Sequence, residues 1–184
     1  MPQEEKGPAT GIAEFERGAT GQTRTSRMLF DYADALRRVG RNRDAHRAYD
    51  SIDLSTVPEK KRWLVDLYRG QLYHEEGRFA LAESLFRSAI TQNPHTTVPW
   101  VYLGASLVQQ EKFEDAVAVL AGALELEGDQ DEVYLNMAYG YRALGKLDDA
   151  KTCLQKALAI TPDYSQAKEA LADITAAVNV AHPS

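Results

Sequence analysis

Small and large apolar side chains recur along this chain with a period of about 34 residues. Four alanines mark the period, with spacings of 37, 34 and 34 residues. Twelve residues before each alanine stands a small residue, and four residues after it stands a large apolar or aromatic one. These positions are Ala33, Gly70, Gly104 and Ala138 (small), Ala45, Ala82, Ala116 and Ala150 (alanine), and Tyr49, Phe86, Leu120 and Leu154 (large). A period of this length predicts stacked helix-turn-helix units.

The repeat predicts an all-α chain of about nine helices. Four helix pairs are expected at residues 26–57, 58–95, 96–129 and 130–163, because apolar positions follow helical spacing within each. A last helix at 163–180 has apolar residues along one side only. Such a helix caps a solenoid, since the final repeat would otherwise expose its stacking face.

The domain organisation follows from the same pattern. Residues 25–184 are predicted to form a single domain. Residues 1–24 are rich in Gly, Thr, Pro and Glu, with Ile12 and Phe15 as their large apolar side chains. This composition predicts a flexible N-terminal tail.

The first unit is the least regular. Ile52 stands where the other units have alanine, and three extra residues lengthen the first spacing to 37. Thr56, Pro58 and Glu59 form a strong helix-start signal. The next helix is therefore predicted to begin near Pro58 and to run to about Glu76.

The repeats resemble those of tetratricopeptide-repeat (TPR) proteins over residues ~26–162. The third unit carries the family's first-helix signature, with Trp100, Leu103, Gly104 and Leu107 at the expected spacing. Glu111 and Gly128 stand at loop positions where the family usually has Gly and Pro. The resemblance implies a right-handed superhelical solenoid whose units bind other chains and rarely catalyse reactions.

The resemblance also implies a concave groove lined by the first helix of each pair. Carried over position by position, the candidate partner-binding residues are Arg27, Phe30, Arg37, Leu64, Leu67, Tyr68, Gln71, His74, Val98, Val101, Tyr102, Ala105, Val108, Leu135, Asn136, Tyr139 and Arg142. We interpret this set as a largely apolar, aromatic-edged trough with arginine at either end. For Leu67 and Val101, burial between repeats is an equally good interpretation.

Family members that hold the acidic C-terminal tails of heat-shock chaperones use Lys, Asn and Arg as a carboxylate clamp. The matching positions here do not supply that set, with Phe30, Asp34, Tyr68, Val98 and Tyr102 in one register. Chaperone carboxylate tails are therefore not expected as partners. A protein or peptide with apolar anchors, flanked in some cases by acidic residues, fits better.

Charge is unevenly distributed along the chain, which has a net charge of −6. Residues 1–62 carry 12 Lys and Arg against 10 Asp and Glu, whereas residues 63–184 carry 9 against 17. Such asymmetry favours either an acidic partner or head-to-tail stacking of copies, or it simply reflects solvated helix faces. Nucleic acid is not expected as a partner, because the chain is acidic and its arginines lack interleaved aromatics.

The sequence offers no candidate catalytic, metal or cofactor site. Its four histidines lack ligand spacing, and it has no Gly-rich phosphate loop. The single cysteine, Cys153, is interpreted as a residue that packs in the core and not as a nucleophile. No stretch suggests a membrane span or a secretory signal, so a cytoplasmic location is expected.

Three roles remain open at this point. The first is a non-catalytic scaffold, adaptor or assembly factor. The second is a secretion-type chaperone, suggested by size and acidity alone. The third is a self-assembling scaffold or homo-oligomer in which the N-terminal segment lies in a groove.

Overall fold

The computed structural model of this protein describes residues 7–18 and 24–181, which form ten α-helices and no β-strand. The helices are α1 (Pro8–Arg17), α2 (Ser26–Arg38), α3 (Asn42–Asp50), α4 (Arg62–Glu75), α5 (Phe79–Gln92), α6 (Val98–Gln109), α7 (Phe113–Ala123), α8 (Gln130–Ala143), α9 (Leu147–Ile160) and α10 (Ser165–Ala181).

Each helix packs against its neighbours in sequence. The pairs α2–α3, α4–α5, α6–α7 and α8–α9 are the four repeats, and α10 packs on α9. The predicted all-α helix-turn-helix solenoid is therefore confirmed. On α10, the side chains of Ala167, Ala170 and Ile174 are buried, as expected of a helix that covers the end of the stack.

The small residues of the repeat allow the two helices of a pair to approach closely. A Cβ atom added to Gly70 would lie 2.5 Å from the Phe86 ring, and one added to Gly104 would lie 2.6 Å from Leu120 Cγ. Phe86 and Leu120 are fully buried. The small residue on the first helix thus makes the space that the large residue on the second helix fills.

An additional helix precedes the four pairs, in the segment predicted to be a flexible tail. On α1, Ile12 is buried, and the Phe15 ring stacks on Tyr32 with 3.9 Å between ring centroids. Glu16 accepts hydrogen bonds from the Tyr32 hydroxyl at 3.1 Å and from Arg41 Nη1 at 2.9 Å. Among the described residues, no repeat precedes α2 to cover its outer face. Ile12 and Phe15 of α1 bury apolar surface against that face instead. Residues 1–6 and 19–23 of the predicted tail lie outside the described residues.

The junction between the first two repeats differs from the later ones. A 3₁₀ turn at Glu59–Lys61 precedes α4, so the α-helix begins at Arg62 rather than near Pro58. Polar pairs then join α3 to α4, with Asp50 Oδ1 2.7 Å from Arg69 Nη2 and His46 Nε2 3.1 Å from both Glu76 carboxylate oxygens.

Replacement of Gly104 by alanine tests the close helix approach. Gly104→Ala is expected to lower the free energy of unfolding by about 1–3 kcal/mol, because the added methyl group collides with Leu120. The control is Gly122→Ala on α7, where the new Cβ would lie 3.4 Å from Trp100 and alanine adds about 1 kcal/mol of helix propensity. Urea denaturation measures both variants. An unchanged midpoint for G104A would contradict the packing argument.

The turn between α6 and α7 offers a stabilising substitution. Glu111 has a φ of 60°, where the turns after α2, α4 and α8 carry a glycine in the same conformation. Glu111→Gly is expected to raise the free energy of unfolding by roughly 0.5–1 kcal/mol, because glycine occupies left-handed backbone without strain. Glu114→Gly, on α7, should instead destabilise the protein by a similar amount. Thermal unfolding of both variants checks the contrast, and a loss of stability in E111G would refute it.

Candidate functional site

Two adjoining cavities lie along α6 and α8. The first encloses about 520 Å³ and the second about 560 Å³. Ala105 and Asn136 line both, so the cavities form one continuous trough. We call the first the acidic cavity; it is lined by His74, Thr97, Val98, Val101, Tyr102, Ala105, Asp129, Asp131, Glu132, Asn136 and Tyr164. We call the second the Arg142 cavity; it is lined by Ala105, Val108, Gln109, Asn136, Tyr139, Arg142 and Ala143.

The structure brings the C-terminal part of the predicted groove together in this trough. The predicted residues that line it are His74, Val98, Val101, Tyr102, Ala105, Val108, Asn136, Tyr139 and Arg142. All but His74 lie on α6 and α8, the first helices of the third and fourth pairs. Val98, Ala105 and Val108 are half-buried, so their apolar surfaces remain open to a partner.

The N-terminal candidates lie elsewhere. Phe30 packs edge-on against Tyr68 at 5.0 Å between centroids. Arg37 is held by Asp34 at 2.8 Å and by Glu75, and its side chain is 13% exposed. Arg27 is largely exposed, and its Nε is 3.9 Å from Asp31. The trough therefore does not end in free arginines on both sides, because carboxylates of α2 and α4 neutralise Arg37.

Four predicted groove residues of α4 and α8 are buried, namely Leu67, Gln71, Leu135 and Asn136, and so is Val101 of α6. Leu67 is 3% exposed and Leu135 is 1% exposed, so both belong to the core rather than to a binding surface. Leu67 packs in the same apolar cluster as Phe86 and Leu103. Gln71 is 8% exposed. Leu64 remains half-buried beside this cluster.

Carboxylates at the start of α8 give the acidic cavity its charge. Glu132 accepts a hydrogen bond from Asn136 Nδ2 at 3.1 Å and another from the Tyr164 hydroxyl. Asp131 Oδ2 accepts from the Thr161 hydroxyl at 2.5 Å. Asp129 lies in the preceding turn and is exposed. The groove thus contains acidic groups where the sequence predicted a largely apolar surface.

The groove prediction missed the loop residues of this cavity. Thr97, Asp129, Asp131 and Tyr164 lie in turns or beside them, whereas the family positions cover only first-helix rows. One departure from the family pattern could have indicated that a turn contributes to this cavity. Gly128, at a φ of 136°, takes the usual proline position, and a Cβ there would lie 2.4 Å from Thr97 Oγ1. Glycine therefore lets the turn that carries Asp129 close onto Thr97.

Burial favours the neutral forms of the tyrosines and of the histidine in the trough. Burial raises the pKa of the Tyr102 and Tyr139 hydroxyls, and nearby Glu132 raises both further. Burial also raises the pKa of Tyr164, and the hydrogen bond that its hydroxyl donates to Glu132 raises this pKa further. Burial lowers the pKa of His74, an effect that Glu75 partly opposes. His74 Nδ1 lies 2.9 Å from Ser106 Oγ, so this ring serves as a neutral hydrogen-bonding group.

Family models agree with the arrangement of helices. Two tetratricopeptide-repeat models match the chain, one over residues 30–95 and the other over residues 107–174. The chain belongs to the tetratricopeptide-repeat family. The resemblance seen in the sequence is thereby confirmed. TPR units are in general non-catalytic modules that bind other proteins through concave surfaces.

Individual relatives cover different parts of the TPR chain. The peroxisomal targeting signal receptor of Kluyveromyces lactis is 29% identical over 96 residues, which is 52% of this chain and 17% of the receptor. A thermophilic TPR protein of Thermus thermophilus superposes with a TM-score of 0.73 at 20% identity, over 91% of this chain and 90% of that chain. The second TPR domain of human RPAP3, in complex with the HSP70 peptide SGPTIEEVD, gives a TM-score of 0.60 at 20% identity, over 64% of this chain and 98% of that one. At these identities the two structures establish the fold alone.

No helix among residues 7–18 and 24–181 has the length and apolarity needed to cross a membrane. Within the same ranges, no three His, Cys, Asp or Glu side chains are grouped so that they could hold a metal ion.

Acidification tests the environment of His74. Because its pKa is lowered in the folded state, the unfolded chain takes up the proton first as the pH falls below about 6.5. Wild-type protein should therefore lose more stability between about pH 7.5 and 5.5 than His74→Gln, which cannot be protonated there. Urea midpoints at the two pH values measure this difference. An equal loss in both proteins would show that burial of His74 does not disfavour its charged form.

Proposed function

We propose that this TPR protein is a non-catalytic interaction module that binds an extended or helical segment of a partner protein in the trough of α6 and α8. The observation that carries the proposal is the continuity of the two cavities through Ala105 and Asn136. A trough of this kind accommodates several consecutive residues of a peptide. Scaffold, adaptor and assembly roles all use such binding, and a cytoplasmic location is compatible with the buried Cys153 thiol.

The apolar surfaces in the trough provide for anchoring side chains. Val98, Ala105 and Val108 lie along one face of α6 and are half-buried, so part of each side chain is still exposed. Apolar side chains of a bound segment would cover these surfaces and displace water from them. Tyr102 and Tyr139 border the same surfaces and supply neutral hydroxyl groups. This combination of apolar floor and polar border is typical of peptide-binding sites.

The chemistry of the trough opposes an acidic chaperone tail. The HSP70 peptide bound by the human RPAP3 domain ends in Glu-Glu-Val-Asp. In the acidic cavity, Asp129, Asp131 and Glu132 would repel such a tail, and no lysine or arginine stands among its described lining residues. This supports the exclusion of chaperone carboxylate tails as partners.

The position of α1 favours a trough that is open to other proteins. Ile12 and Phe15 pack on α2, and no residue of α1 lines either cavity. The same segment therefore does not fill its own trough through these two side chains. This supports partner binding over a scaffold in which the N-terminal segment occupies its own groove.

A peptide selection with paired variants tests the proposal. Random twelve-residue peptides displayed on phage are selected on the wild-type protein, and the selected pool is then offered to two variants. Ala105→Arg should reduce retention at least tenfold, because its side chain fills the point where the cavities meet. Ala118→Arg is the matched control, since Ala118 is exposed on α7 and lies outside the trough.

Circular dichroism first establishes that both variants remain folded. Failure to select any peptide, or equal retention by A105R and the wild type, would overturn the trough as the binding site. Equal losses in A105R and A118R would have the same consequence, because the effect would then not depend on the trough.

A further inference from the structure

We propose that the acidic cavity receives a cationic side chain, lysine or arginine, from the bound segment. The proposal rests on the proposed function and specifies the chemistry of its ligand. It assigns Asp129, Asp131 and Glu132 as the groups that select the charge. The partner is thus a peptide segment with a basic residue next to apolar anchors.

No cationic side chain among the described residues pairs with the carboxylates of the cavity. Asp129, Asp131 and Glu132 form no salt bridge with any described residue, although most acidic side chains around the first two repeats do. There, Asp34, Asp50, Glu75, Glu76 and Glu83 each lie within ion-pair distance of an arginine or a histidine. A ligand cation would supply the missing positive charge where the cavity walls reduce solvent screening.

One acceptor that lines the cavity also has no donor in the described part of the protein. Asn136 is 9% exposed, and its Nδ2 donates to the backbone oxygen and to Oε1 of Glu132. These two bonds fix the orientation of the amide and leave Oδ1 without a donor among the described residues. Because Asn136 lines both cavities, the free acceptor is available to a ligand in the trough. Asn136 Oδ1 can therefore accept a hydrogen bond from an N–H group of a ligand.

The aromatic walls suit the same ligand. Tyr102 and Tyr164 line the acidic cavity together with the carboxylates. Tyrosine rings attract lysine and arginine through cation–π interaction, and their faces cover the aliphatic part of these side chains. Lysine presents three N–H donors and arginine five, which matches the surplus of acceptors. A neutral or acidic side chain would leave that surplus unsatisfied.

Matched peptides provide the test. The selection described above is sequenced, and one selected peptide is synthesised with its basic residue intact and with norleucine in that place. Norleucine keeps the alkyl chain of lysine and removes its charge. Isothermal titration with wild-type protein is expected to show at least tenfold weaker binding of the norleucine peptide, and high salt should reduce the difference.

A variant with a neutral cavity completes the comparison of the two peptides. Asp129→Asn combined with Glu132→Gln preserves side-chain size and should bind the two peptides with nearly equal affinity. Glu114→Gln on α7 is the control, because it removes an exposed charge outside both cavities. It should retain the full tenfold preference. Loss of the preference in E114Q would show that the net charge of the protein, and not the cavity, determines the preference for the basic peptide.

The outcomes separate this proposal from the function on which it rests. Selected peptides that depend on Ala105 but show no enrichment of lysine or arginine would overturn the cationic ligand and leave the trough as the binding site. A selection that yields no peptide would overturn both. Self-association that disappears with Arg27→Gln would make a second copy of the chain the occupant, and the partner proposed here would be wrong.

Discussion

The close approach of paired helices is the constraint on which the rest of the structure depends. Gly70 against Phe86 and Gly104 against Leu120 leave no room for a β-carbon. Each contact sets the distance between the two helices of a repeat, and the fully buried alanines of the second helices allow the next repeat to stack. Because the same contact recurs, the first helices come to lie side by side.

The trough is a consequence of this regular stacking in the third and fourth repeats. There, α6 and α8 stand next to each other with half-buried apolar residues between them, and Asn136 joins the two cavities. The turns at the ends of the helices then determine its chemistry. They place acidic groups and Tyr164 at one end, whereas Arg142 stands at the other.

Much of the fold could be predicted from the sequence, because a small residue twelve positions before each alanine and a large one four positions after it leave few other arrangements. The apolar floor of the trough, formed by Val98, Ala105 and Val108, could be predicted from the same repeat positions. Asp129, Asp131 and Tyr164 could not be placed this way, since turn residues follow no period. The α1 helix was also missed, because its stability comes from Tyr32 and Arg41, which are distant in sequence.

The polar junction between α3 and α4 makes the solenoid unequal along its length. The pair Asp50–Arg69 is an ion pair, and dissolved ions weaken such attractions. The next junction also has an ion pair, Glu83–Lys112 at 2.9 Å, whereas no salt bridge joins the described residues of the third and fourth repeats. Ionic strength therefore weakens the contacts between the first three repeats more than the contact between the third and fourth, so the N-terminal part of the solenoid is the part whose attachment responds to the salt content of its surroundings.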